Sequence, residues 1–260
     1  MNEERSWSGL AEKVLPALSI VAFIGAWQIF VDYNKIAPIY LPSPLAISEA
    51  LLAMIGDGTL FTNLGATLLR IFAGFALAAV TGIFFGLLMG MSRIVARVAD
   101  PWIAALYPLP KISLIPLLII WLGTGESYKI VISAITAFFP IVMSTYAGVR
   151  QVDRGLVKAA LDLGANASQA QLTVVLPGAI PTIFAGLQLG MGVTIILVVA
   201  AEMIGGSARG GMGSLLIQAG QVMETEKVFA ALVALTLMGA AIMKGQQWLD
   251  HRLAPWADHR

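Results

Sequence analysis

Imidazole and thiolate chemistry are nearly closed to this chain of 260 residues, which has two histidines and no cysteine. His251 and His259 both lie in a polar tail, so no histidine-based catalytic or zinc centre forms within the apolar segments. No HExxH string, nucleophile elbow or paired acidic motif occurs in an apolar stretch, which argues against a membrane enzyme. A formal charge of +1 supplies no basic field for nucleic acid. What remains is sparse. Glu202 stands at the end of an apolar run, where an ionisable group would suit a gate or simply a solvated end. Gln188 and Thr194 are candidates for a polar pathway or for hydrogen bonds between helices. Arg70 and Glu126 are expected at interfaces with water. The glycine run Gly205–Gly213 lacks the lysine of a phosphate cradle and reads as a flexible loop. The most distinctive stretch is Val157 to Pro181, which is polar, rich in alanine and punctuated by glycine.

The elements that hold these residues are long and apolar. Hydrophobic residues make up 58% of the chain and charged ones 12%, against about 25% charged in soluble domains. Charge-free runs of about 20 residues, enough to cross about 30 Å of hydrocarbon, are expected to span a bilayer. Six are expected, at residues 14–31, 71–91, 102–122, 130–149, 182–201 and 228–243. The chain is thus expected to be one all-α integral membrane domain, with a loop at 150–181 between the fourth and fifth spans. The third span carries Pro108, Pro110, Lys111 and Pro116, and is expected to be kinked or broken and buried within a bundle. Pro140 is expected to kink the fourth. In the second span Gly74, Gly82, Gly86 and Gly90 share one face with Ala78, a stripe that lets helix backbones approach closely. Six spans put both termini on one side. With the termini inside, inner segments hold eleven of the 16 lysines and arginines and outer ones five, so the loop and both termini are expected in the cytoplasm.

The loop itself reads as two short helices. Val157–Gly164 favours helix, Lys158 and Asp162 are spaced for a weak pair, and Ala159 and Ala160 leave a face slim enough to enter a groove on a partner. Gly164 is expected to end this helix in a left-handed turn before Ala165. Asn166 or Ser168 would cap a second helix, and Leu176-Pro177 and Pro181 direct the chain into the fifth span. Two short helices at an angle make a rigid lever, a form that a mere linker does not need.

At these residues the chain resembles the membrane permease subunits of binding-protein-dependent ABC importers. Their loop pattern is Glu-Ala-Ala, three residues, Gly, nine residues, an aliphatic, any residue, then Leu-Pro; Ala159-Ala160, Gly164, Val174 and Leu176-Pro177 match it. Lys158 stands where the pattern has Glu, which removes any salt bridge made by that Glu but not the groove-filling role of the small residues. Leu41-Pro42-Ser43-Pro44, Thr67–Arg70, Pro116–Trp121, Gly125-Glu126, Ala137–Pro140, Gly148–Arg150 and Ala201–Met203 resemble the branch that serves nitrate, taurine and alkanesulfonates. The resemblance implies a homodimer with two ATP-binding subunits docked at Val157–Ala165, and an extracytoplasmic binding protein delivering a small solute. The chain has no P-loop, so ATP and Mg are expected on the partner and no cofactor on this chain. The rival expectation is an ion-coupled secondary carrier or channel. It needs buried acidic residues for coupling, of which the spans hold essentially none, and internal repeats, of which no convincing one is visible.

Overall fold

The computed structural model describes residues 3–205 and 209–256, with side chains from residue 14 onward. Several residues singled out above therefore lie outside the described ones. They are Gly206, Ser207 and Ala208 of the glycine run and His259 of the tail. The described residues form helices α1 (Glu3–Tyr33), α2 (Pro44–Gly56), α3 (Thr59–Met91), α4 (Arg93–Leu106), α5 (Ile115–Leu122), α6 (Ser127–Gln151), α7 (Arg154–Asp162), α8 (Ala167–Ala170), α9 (Leu176–Gly205), α10 (Met212–Gln221) and α11 (Thr225–Leu253). A 3₁₀ turn at Lys111–Leu114 precedes α5, and a π-helical turn at Gln171–Val175 joins α8 to α9. Five helices are long and apolar enough to cross a membrane: Val14–Tyr33, Thr59–Met91, Ser127–Gln151, Ala167–Gly205 and Thr225–Leu253. The pair Arg93–Leu106 and Lys111–Leu122, bent by 87°, makes a sixth if counted as one crossing. Pro108 and Pro110 sit at that bend and cannot supply backbone donors to a continuous helix. The Lys111 ammonium donates to the Tyr107 carbonyl there and lies 4.7 Å from the centre of the Phe139 ring.

The helices are longer than the charge-free runs. α3 starts at Thr59 and α9 at Leu176, and α9 passes Glu202 to end at Gly205. Arg70 and Glu202 therefore sit inside helices. α6 continues through Pro140 as one helix, Ser127–Gln151, although Pro140 has no N–H for the Thr136 carbonyl. A count of consecutive apolar residues misses such extensions because it stops at the first charge, whereas a helix continues wherever that charge finds a partner.

The chain divides into two compact units, residues 1–61 with 215–234 and residues 62–214 with 235–260. In the first unit, Gln28 Oε1 accepts from the Leu45 N–H at 3.1 Å, tying α1 to the start of α2. Trp27 stacks at a tilt on Phe229 with ring centres 6.0 Å apart, and the Thr225 hydroxyl donates to the Ile39 carbonyl at 2.9 Å. Much of the apolar surface of α1 is exposed, including Val21, Phe23 and Ile29, as lipid-facing side chains would be.

The second unit is built on α6, which packs between α3 and α9. On the α3 side a Cβ at Gly82 would lie 2.8 Å from Ile141, and one at Gly86 or Gly90 would lie 2.5 Å from Thr145 or Val149. Gly74 faces Ser133 in the same way. On the α9 side Gly186 abuts Ser144 and Gly190 abuts Ile141. Missing side chains on both neighbours thus set the backbone separation, which is how helices gain van der Waals contact in a solvent as apolar as they are. Ala78, Ala134, Ala137 and Ile141 fill one layer of this packing, and Val149, Ala179 and Ile183 another.

Candidate functional site

Two constellations stand out in the second unit. The first is the segment between α6 and α9. Asp153 caps α7 by accepting from the Gly155 N–H at 2.7 Å. At the other end the Ala165 N–H reaches the Ala160 carbonyl and the Gly164 N–H the Leu161 carbonyl, both at 3.0 Å. This is the Schellman arrangement, and it requires the left-handed residue that Gly164 provides at φ +95°. Asn166 then opens the next turn with a reciprocal capping box to Gln169, at 2.8 and 2.9 Å. Pro177 has no N–H for the Thr173 carbonyl, and the chain absorbs the loss in the π-helical turn, where the Leu176 N–H bonds to Gln171. α8, the π turn and α9 form an unbroken helical run from Ala167 to Gly205.

Exposure tells what this segment presents. Lys158, Ala159, Asp162 and Gly164 are exposed, while Ala160, Ala165 and Pro177 are half-buried. Lys158 and Asp162 do not form the expected ion pair; both are exposed, and among the described residues neither has an ionic partner. Leu156, Leu163 and Leu172 are largely exposed on this otherwise polar stretch, Leu163 at 89%.

The second constellation was not recognised from the sequence. Arg70, in α3, is fully buried and lies between two carboxylates. Its Nε and one terminal nitrogen bond to Glu126 at 2.5 and 2.8 Å, and the other terminal nitrogen bonds to Glu202 at 2.5 Å and to the Gly210 carbonyl at 2.9 Å. Glu202 is also fully buried; it accepts from the Thr67 hydroxyl at 2.9 Å and from the Gly213 N–H at 2.8 Å. The Met212 N–H donates to Thr67 and the Gly211 N–H to Asn63. Lys129, buried at the start of α6, completes the group 3.6 Å from Glu126. Two cations thus face two anions in a charge-balanced cluster, with a bidentate arginine at its centre.

This geometry corrects three expectations. Arg70 and Glu126 form a partly buried ion pair instead of lying solvated at an interface. Glu202 is neither solvated nor beyond the helix end. The described part of the glycine run, Gly210 to Gly213, is pinned: a Cβ on Gly211, at φ +135°, would lie 2.5 Å from the Glu202 carboxyl carbon. One part of the signal is local, since Asn63, Thr67 and Arg70 follow one another at four and three residues and so share a helix face, while the carboxylates that Arg70 meets are remote in sequence. Of the other candidates, Gln188 donates to Asp250 at 2.5 Å, and Thr194 is buried and bonds back to the Gly190 carbonyl at 2.8 Å.

Comparison with known proteins places these features. Residues 79–255 match the model of the binding-protein-dependent transport system inner membrane component. The chain is 34% identical over 255 residues to the taurine transport system permease protein TauC of Escherichia coli K12, covering 96% of this chain and 92% of that one. It is 32% identical over 243 residues to the putative aliphatic sulfonates transport permease protein SsuC of Bacillus subtilis 168, covering 94% and 86%. Among solved structures, its fold is similar to that of an amino acid ABC transporter crystallised with histidines, with TM-score 0.61, 21% identity, and 79% and 97% of the two chains covered. It is also similar to an inward-facing MetNI methionine ABC transporter, with TM-score 0.58, 20% identity, and 77% and 96% covered. The segment with Ala159-Ala160, Gly164 and Leu176-Pro177 lies within the matched region, as do Glu126 and Glu202, and the chain belongs to the family of binding-protein-dependent transport system inner membrane components, the multi-pass permease subunits of ABC importers.

Proposed function

We propose that two copies of this chain form the translocation pathway of an ATP-driven importer for a small sulfonate, taurine-like or nitrate-like solute. The solute class rests on the names of the taurine and aliphatic sulfonate relatives. Each copy docks one ATP-binding subunit through residues 157–165, and a binding protein delivers the solute from outside. ATP and Mg reside on the partner; this chain is not an enzyme and holds no cofactor of its own. Both termini and the loop at 150–181 face the cytoplasm, which requires the bent α4–α5 pair to count as one crossing.

The observation that carries this reading is the capped, leucine-exposing segment between α6 and α9. α7 is closed by an aspartate cap and a Schellman turn, so it moves as a rigid body, and it exposes Leu156 and Leu163. Because α8 and the π turn run on into α9, a push on this segment is delivered to a helix packed along α6. Alternating access would follow from ATP-driven closure of the partner subunits moving both loops together. Affinity purification of tagged chain from native membranes tests the reading. A co-purifying subunit with a P-loop supports it, whereas a chain that comes down alone and transports with an ion gradient but no ATP overturns it.

A further inference from the structure

Beside the segment 154–175 the second unit carries an open cavity of about 690 Å³, lined in part by exposed side chains. Arg93, Arg97, Arg150, Arg154 and Lys158 line it, against one carboxylate, Asp100. Five cations against one anion leave four positive charges uncompensated. Among the described residues none of Arg93, Arg97, Arg154 and Lys158 has an ion pair, and Arg150 is held by a 2.8 Å hydrogen bond to the Tyr146 hydroxyl, a neutral partner. The cations converge from three elements, α4, the end of α6 and α7, whereas an inside-positive bias needs only scattered charge. The first turns of α4 and α7 contribute to the lining, so the positive ends of two helix dipoles add to the field. Lys158 sharpens the point. The family pattern has Glu here, which would lower the charge of the lining by two, and this chain carries the opposite sign.

We infer that this cavity binds a small oxyanion of the phosphate, sulfate or sulfonate class, and that the bound anion ties the docking helix α7 to α4. Tetrahedral oxyanions offer several acceptors at once and suit guanidinium groups arriving from different directions. The anion comes either from the cytosol or from the phosphate of an anionic lipid headgroup; the chemistry recognised is the same. Because the cavity wall includes α7, its occupancy would set how freely the docking segment moves, a consequence that rests on the importer reading above. Binding itself does not.

The test is calorimetric titration of the purified full-length chain, with the subunits that co-purify, in phosphatidylcholine nanodiscs. Sodium sulfate is the probe, against sodium chloride at constant ionic strength. Saturable sulfate binding is expected. It should weaken about tenfold or more when Arg97→Gln and Lys158→Gln are combined, stay near wild type in Arg97→Lys, and be unchanged in Lys35→Gln, remote in sequence. In discs of phosphatidylglycerol, suppressed sulfate binding identifies a lipid phosphate as the resident anion and unchanged binding identifies a soluble one; either supports the site. Absence of saturable sulfate binding, together with equal retention of phosphatidylglycerol by wild type and double variant, overturns it. So does sulfate binding confined to preparations lacking the ATP-binding subunit, which would make the cavity a seat for a partner's acidic side chain. Should no ATP-binding subunit co-purify, the docking reading falls while the sulfate isotherm still decides the site.

Discussion

At the residue scale the account rests on groups whose removal leaves something unmatched. Arg70 neutralises two carboxylates, one of them fully buried. Arg70→Gln would strand Glu202 as an uncompensated charge, and breaking a buried pair from one side costs about 3–5 kcal/mol. We expect strongly reduced accumulation of folded protein, measured by fluorescence-detected size exclusion in detergent. Combining Arg70→Gln with Glu202→Gln should recover part of the loss, because the stranded charge is gone; a double variant worse than either single one would contradict the pairing. Gly164 is the second such residue. Gly164→Trp forces an L side chain into a left-handed turn, at about 1–2 kcal/mol, and places a bulky ring in the proposed docking face. The chain should still insert, while ATP hydrolysis and solute uptake become uncoupled. Normal uptake by this variant would remove α7 from the coupling path.

At the element scale the glycine stripe of α3 is the feature that sets packing. Gly86→Leu should lower thermal stability and assembly, because its Cβ alone would lie 2.5 Å from the Thr145 side chain and 2.8 Å from the Val142 carbonyl. Overpacking of this kind costs about 1–3 kcal/mol. Gly239→Ala in α11 is the matched control, since nothing lies within 4 Å of its Cβ position, and it should be neutral or slightly stabilising. An unchanged melting temperature for Gly86→Leu would contradict the close approach of α3 and α6. The stripe was legible because four-residue spacing puts the glycines on one helix face, which in lipid favours close helix approach. Helix extents were less legible. Charge-free runs mark hydrocarbon, and α3 and α9 continue past Arg70 and Glu202 because those charges satisfy each other across some 130 residues of sequence, which no local pattern reveals. The Lys158–Asp162 pair failed for the opposite reason, since spacing on an exposed helix permits such a contact without enforcing it.

For the whole molecule the topology turns on the bent pair α4–α5. As one crossing it makes six, and puts Lys35 on one side and Leu163 and His251 on the other. As a re-entrant loop it makes five, and moves Leu163 and His251 to the side of Lys35. The chain has no cysteine, so single substitutions Lys35→Cys, Leu163→Cys and His251→Cys can be labelled in intact cells with a membrane-impermeant maleimide. The reading predicts labelling of the first alone. Fold class was readable from hydropathy, and the family from a spaced motif. The buried ion cluster and the cationic cavity were not, because both are assembled from residues that meet only after α3, α4, α6 and α9 have packed.

The most direct test of the central claim is site-specific photocrosslinking from position 163 in native membranes. A photoreactive residue in place of Leu163 should form an adduct with a subunit that carries a P-loop, and Gly164→Trp in the same chain should diminish it. An adduct to lipid or to a second copy of this chain alone, unaffected by Gly164→Trp, would show that residues 157–165 are not where the ATP-binding partner docks.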